Sequence, residues 1–236
     1  MIAIPAVDIR EGACVQLVGG EYTKEKVRRP DPAEVVREWV AFGFQRVHIV
    51  DLDAATGRGN NRAVIRGILA DAAAPMQVGG GVRDDDRFTE LVDDGAEWVV
   101  VGTRAIDDFD WIADLAESHP GQVIVAADVR ERRVVTQGWA KTTGRDIDDV
   151  VEELNDLPLA GLLVTAVHRE GKMQGTDLPL MESVAESCRF PVIASGGITT
   201  MDDLRALQHR GAAGAVIGMA LYTGVLDPRA VAEEFA

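Results

Sequence analysis

Short apolar runs recur along the chain, and stretches of helical periodicity fall between most of them. Residues 2–7, 47–51, 76–78 and 98–101 read as strands in the first half, and residues 123–128, 161–165, 191–195 and 214–218 in the second. Each run stops at an Asp, a Gly or a small polar residue. Asp31-Pro32 opens a helix with Val35, Val36 and Trp39 on one face, and Gly43 stops it. Further helices are expected from about Asn61, over 84–94 before Gly95, and over 146–156, 178–187, 201–210 and 228–235. Between the first strand and the first helix, a polar stretch through Gly12, Gly19, Gly20 and residues 24–29 reads as a long irregular loop and a candidate lid.

Eight strands alternating with helices predict βαβ units and a parallel sheet, closed as a (β/α)8 TIM barrel. The pattern also repeats. Ala6-Val7-Asp8-Ile9-Arg10 resembles Ala126-Ala127-Asp128-Val129-Arg130, a separation of 120. Gly80, Gly81, Gly95 and Gly102 are each followed by another glycine 116 positions later, at 196, 197, 211 and 218. The barrel is therefore expected to be two duplicated half-barrels.

Length and charge narrow this picture without changing it. The 236 residues suit one barrel domain over 1–236, near the ~250 typical of the fold. No apolar run approaches the ~18 residues of a membrane span, so a cytoplasmic protein with no membrane contact is expected. A net charge of −15 argues against nucleic-acid binding but leaves room for small phosphorylated ligands held by backbone N–H groups. Cys14 and Cys188 lack metal-type spacing and read as reduced thiols.

In such barrels the chemistry sits at the carboxyl ends of the strands. Here those ends carry Asp8, Asp51, Gly80-Gly81, Gly102-Thr103, Asp128, Thr165, Ser195-Gly196-Gly197 and Gly218. Glycine lets backbone approach an anion, and the helix start beyond it offers free N–H groups. The Ser195-Gly197 and Gly218 pair, copied as Gly79-Gly81 and Gly102-Thr103, predicts two phosphate sites on opposite sides of one mouth. A substrate with a phosphate at each end would then lie between Asp8 and Asp128, which read as an acid/base pair. Nothing in the sequence marks a nucleophilic triad, a dinucleotide fingerprint or a metal cluster, so cofactor-free and metal-free proton transfer is expected. His48, inside an apolar run, reads as structural. Trp139, after the fifth strand, could stack on a planar ring or simply pack.

Several motifs together resemble a known family. They are Ile4-Pro5-Ala6-Val7-Asp8-Ile9-Arg10 through Gly19-Gly20, His48-Ile49-Val50-Asp51-Leu52-Asp53, Gly57-Arg58-Gly59-Asn60-Asn61, Val78-Gly79-Gly80-Gly81-Val82-Arg83, Gly138-Trp139, Ala194-Ser195-Gly196-Gly197 and Ala220-Leu221-Tyr222. Across essentially the whole chain the sequence resembles the histidine-biosynthesis isomerases that act on phosphoribosylformimino-aminoimidazole carboxamide ribotide. The resemblance implies an Amadori-type aldose-to-ketose rearrangement of a substrate with two phosphates, without a cofactor; a monomer is expected. It implies that Asp128 is the acid that opens the ribose ring and Asp8 the base at C2′, with Thr165 supporting the opened sugar. Gly81, Gly102 and Thr103 would hold one phosphate and Gly171, Gly197 and Gly218 the other, with Gly19, Arg83, Trp139 and Ser195 also on the substrate. The chain departs from the family at Ala166, where an acid is usual, and at Lys172 and Met219. A bifunctional relative that also isomerises phosphoribosyl anthranilate is an alternative, although it commonly carries Arg where this chain has Gln137. A binding protein that kept the barrel and lost the chemistry is a third reading.

Overall fold

A computed structural model describes residues 1–139 and 141–236. The chain begins with β1 (Ile2–Arg10), β2 (Ala13–Leu17), β3 (Glu25–Arg29), α1 (Pro32–Phe42), β4 (Val47–Asp51), α2 (Leu52–Thr56) and α3 (Arg62–Ala70). It continues through β5 (Met76–Gly79), α4 (Asp85–Asp93), β6 (Trp98–Val101), α5 (Thr103–Asp107) and α6 (Phe109–Ser118). The second half runs β7 (Val123–Arg130), β8 (Arg133–Thr136), β9 (Lys141–Asp146), α7 (Ile147–Leu154), β10 (Gly161–Ala166) and α8 (Leu178–Ser187). It ends with β11 (Val192–Ser195), α9 (Met201–His209), β12 (Gly214–Ile217), α10 (Met219–Tyr222) and α11 (Pro228–Phe235).

Eight of these strands pair in parallel in the order β1-β4-β5-β6-β7-β10-β11-β12, and β12 returns to β1, closing a (β/α)8 TIM barrel. Side-chain alternation sorts each strand between two layers. On β1, Ile4 and Ala6 meet Val100, Ile124, Leu163, Ile193 and Val216 in the barrel interior, while Val7 and Ile9 pack outward under the helices. Because the strands are covered on one side by helices and on the other by the barrel interior, they read as near-continuous apolar runs.

Capping chemistry sets the helix ends. Asp31 caps α1 by accepting from the N–H groups of Ala33 and Glu34, Pro32 occupies the first turn, and Gly43 ends the helix at φ 109°. Thr200 and Asp203 form a reciprocal capping box on α9.

The polar stretch after the first strand is not an irregular loop. Strand β1 extends to Arg10, turns at Glu11-Gly12 and returns as β2, which pairs with β3. Glu11 and Gly12 both have positive φ, 49° and 74°, as a two-residue type I′ hairpin turn requires. The second half repeats the device. Strand β7 turns at Glu131-Arg132, φ 47° and 69°, into β8 and β9. Two charged residues hold these positions where Gly or Asn is the usual choice, which hides the turn from a sequence reading. Helices α2, α5, α6 and α10 are likewise additional to the expected set. Three of them are single-turn elements of four or five residues, too short to carry a periodicity. The fourth, α6, does bury a helical stripe of Ile112, Leu115 and Ala116.

Candidate functional site

The eight strand ends and the two hairpins wall a cavity of about 940 Å³ at the C-terminal mouth of the barrel. Strand parity delivers both predicted carboxylates to it. Asp8 follows Ile4 and Ala6 on the inward face of β1, and Asp128 follows Ile124 and Ala126 on the inward face of β7. Asp51 has the opposite parity. Its carboxylate turns outward, fully buried, and accepts from the backbone N–H groups of Ala54 and Asn61 and from Asn61 Nδ2 at 2.7–3.0 Å. Asn61 also binds Asp53 and the N–H of Gly12, so Asp51 anchors loops and takes no part in the cavity.

Burial in the cavity wall pushes Asp8 up to about 7, and the nearby Glu170 carboxylate adds to the rise. Burial likewise pushes Asp128 up to about 6, against hydrogen bonds from the Trp139 indole and the Thr165 hydroxyl that favour its ionised form. Glu170, which the sequence reading missed, is pushed up to about 7 by burial and by the charge of Asp128, while the Gly171 N–H pulls it back. Three carboxyl groups thus meet in one mouth with their ordinary acidity removed. Such sites titrate as a coupled set, and near neutral pH they hold both protonated and ionised members.

The Ala166 departure has a structural explanation. Register pairs Ile9 with Asp51 and Val129 with Ala166, so Ala166 occupies the second-half counterpart of the loop-anchoring Asp51. Its side chain packs outward in the core and is fully buried. An acid there would not face the substrate. The acid in this loop lies four residues on, at Glu170, and the Arg-Glu-Gly sequence before the predicted Gly171 was the available signal.

The glycine clusters are required by close packing as well as by φ. A Cβ on Gly80 would lie 2.4 Å from the Asp51 carbonyl oxygen, and one on Gly196 2.7 Å from that of Ala166. Gly102 and Gly218 share an unusual conformation, φ −99° ψ −110° and φ −105° ψ −103°, and each opens a short helix that has no side-chain cap. The first N–H groups of both helices are therefore left for a ligand.

Of the thirteen predicted site residues, twelve line the cavity: Asp8, Gly81, Arg83, Gly102, Thr103, Asp128, Trp139, Thr165, Gly171, Ser195, Gly197 and Gly218. The exception is Gly19, which sits behind the wall. A Cβ on Gly171 would lie 2.9 Å from its nitrogen. The adjacent Gly20 lines the cavity instead, in contact with Trp139, whose ring would lie 2.4 Å from a Cβ at position 20. The loops after β2, β8 and β10 therefore meet above the mouth.

His48 faces inward on β4 and lies in the cavity wall. Gln77 sits 2.8 Å from its Nδ1, and burial pushes it down to about 4, which keeps it neutral. The charge lining the mouth is uneven. Arg58, Arg83 and Arg104 lie on the side of the first-half phosphate loops, together with Asp107. Among the described residues, no Lys or Arg lines the side of Gly197 and Gly218. Nor, among the described residues, does any cluster of His, Cys, Asp and Glu have the arrangement of a metal site, and no helix is long and apolar enough to cross a membrane.

The profile of the histidine biosynthesis protein family matches residues 2–227. The chain is 66% identical over 235 residues to a Gemmatimonas aurantiaca protein named 1-(5-phosphoribosyl)-5-((5-phosphoribosylamino)methylideneamino)imidazole-4-carboxamide isomerase, covering 100% of this chain and 99% of that one. Proteins of the same name from Myxococcus xanthus and Methanopyrus kandleri are 58% and 41% identical, with 100% and 98% of this chain and 100% and 96% of theirs covered.

Proposed function

The chain belongs to the histidine biosynthesis protein family, and from that premise we propose that it is the aldose-to-ketose isomerase its relatives are named for, acting on the imidazole-4-carboxamide with two phosphoribosyl groups. The observation that carries this reading is the pair Asp8 and Asp128, placed by duplicated strands in one cavity between two uncapped glycine loops. The distance between phosphates fixes the sugar between the carboxyls, so binding energy orients the reacting carbons.

The reaction needs only proton transfers. A carboxyl proton passes to the ribose ring oxygen as the ring C1′–O bond breaks, and the exocyclic nitrogen forms a Schiff base with C1′. Asp8 then removes the proton from C2′, giving an enolamine. C1′ takes up a proton as the O2′ hydroxyl loses one, leaving a ketone at C2′ and an amine at C1′. Atoms and electrons balance within the substrate. The proton donor in ring opening is Asp128, hydrogen-bonded to Trp139 and Thr165, with Glu170 as the adjacent proton store. Burial raises both carboxyls toward neutrality, where a carboxyl can give up or take on a proton during turnover.

The test is turnover of this aminoaldose and of phosphoribosyl anthranilate by the purified protein, side by side and without added metal. Conversion of the first alone is expected. Failure to convert it would overturn the reading.

A further inference from the structure

We propose that Gln16 is the side chain that holds the substrate's second phosphate, in place of a basic residue, at the Gly197 and Gly218 side of the mouth; the proposal rests on the isomerase reading for the identity of the ligand. Gln16 is 3% exposed, lines the cavity, and its Nε2 has no hydrogen-bond partner in the protein. A buried amide donor left unpaired costs stability, so its retention in a ligand cavity points to a partner supplied by the ligand.

Topology explains why this residue reaches that phosphate. Strand β4 stays paired with β1 as far as Ile9, so β2 must return on the other edge of β1, above the end of β12. That places the Gln16 amide against Gly218, where its Oε1 would lie 2.4 Å and its Nε2 3.6 Å from a Cβ. Gly218 is thus a glycine partly because Gln16 occupies the space beside it. The duplicate of Gln16 is Thr136, 120 residues on, which does not line the cavity. The first-half phosphate side has Arg58, Arg83 and Arg104 instead. Arg169 lies behind Gly197 and directs its guanidinium at the Gln174 carbonyl, 3.5 Å away, outside the wall. Gln16 is therefore the polar side chain, beyond Ser195, that the structure offers to the second phosphate.

The experiment replaces Gln16 by Met, which keeps volume and removes the donor, and by Glu, which keeps shape and sets a like charge against phosphate. Steady-state kinetics of Gln16→Met should show KM raised about tenfold, the weight of one hydrogen bond to a charged group. Gln16→Glu should raise KM further. In parallel, calorimetric titration with inorganic phosphate should show two sites in the wild type and one of them weakened in Gln16→Met. A Gln16→Met protein with wild-type KM and both phosphate sites intact would overturn the proposal. Should the wild type fail to isomerise the substrate, the isomerase reading fails, and the phosphate titration still decides the role of Gln16.

Discussion

Asp8 and Asp128 occupy the same place in two copies of one hairpin: Asp8 lies opposite Val15 and Asp128 opposite Val135, and both partners are displaced by 120 residues. In each copy the barrel strand overshoots one neighbour, β12 for β1 and β6 for β7, while staying paired with the other past the Asp, so the carboxylate stands on the edge left open toward the mouth. Duplication thus produced two chemically identical groups, and their surroundings make them different. Trp139 and Thr165 donate to Asp128, whereas Glu170 repels the charge of Asp8.

Replacing either Asp8 or Asp128 by Asn should lower kcat by about 10³-fold or more, since the proposed mechanism gives each a proton transfer that the amide cannot perform. Circular dichroism should show an unchanged fold. Near wild-type turnover in either variant would remove that residue from the mechanism.

The same two variants carry a stability prediction with a definite sign. A carboxyl whose folded value is raised stabilises the fold fully only below its unfolded value, near 3.8, and that contribution is lost as pH rises through the folded value, here about 7 and about 6. Asp8→Asn and Asp128→Asn should therefore melt above wild type at pH 8, by on the order of 5 °C, and the gap should close near pH 4. Melting curves at the two pH values check this.

Glu170→Gln should shift the pH profile as well as reduce the rate. Removing its charge lowers the value of Asp8, so the acid limb of kcat/KM should move to lower pH. An acid limb unmoved in the Gln variant would show that Glu170 and Asp8 do not communicate.

Gly20→Ala should impair closure of the mouth. The new methyl would meet the Trp139 ring at 2.4 Å, in a backbone with φ 68° that alanine resists by about 1 kcal/mol. Activity should fall about tenfold or more while the melting temperature changes by only a few degrees, because the contact lies outside the barrel core. Equal losses of activity and of folded protein would assign Gly20 to stability alone.

Tyr222→Phe tests the outer packing. The Tyr222 hydroxyl donates to the Ala6 carbonyl at 2.7 Å, and its ring meets Trp39 edge-on at 5.1 Å. Loss of the hydroxyl leaves that buried carbonyl and the Cys14 thiol short of a partner, which should cost about 1–2 kcal/mol in denaturant unfolding with little change in KM.

Much of this was written in periodicity. All eight barrel strands showed as apolar runs, and the constant glycine offset revealed the duplication, because buried parallel strands and phosphate loops each demand residue types that stand out singly. The hairpins did not show. Their turns use Glu11, Glu131 and Arg132 at positive φ, and Glu25–Arg29 is charged throughout except at Val27, as suits a strand exposed on alternate residues. Glu170 escaped because an acid was sought next to Thr165, where strand parity points outward. Gln16 fell within the stretch that reads as a long polar loop, and only the fold shows that β2 ends beside Gly218.

The uneven placement of arginine around the mouth also bears on how a ligand arrives. The protein as a whole carries a net charge of −15 and repels a doubly phosphorylated molecule at long range. Among the described residues, Arg58, Arg83 and Arg104 oppose that repulsion on one rim, beside Asp107. For the substrate proposed above, the arginine rim is the side at which a phosphate is expected to dock first, the other end then seating among neutral donors and release following the reverse order. The barrel, symmetric in its chain path, is polarised in its charge.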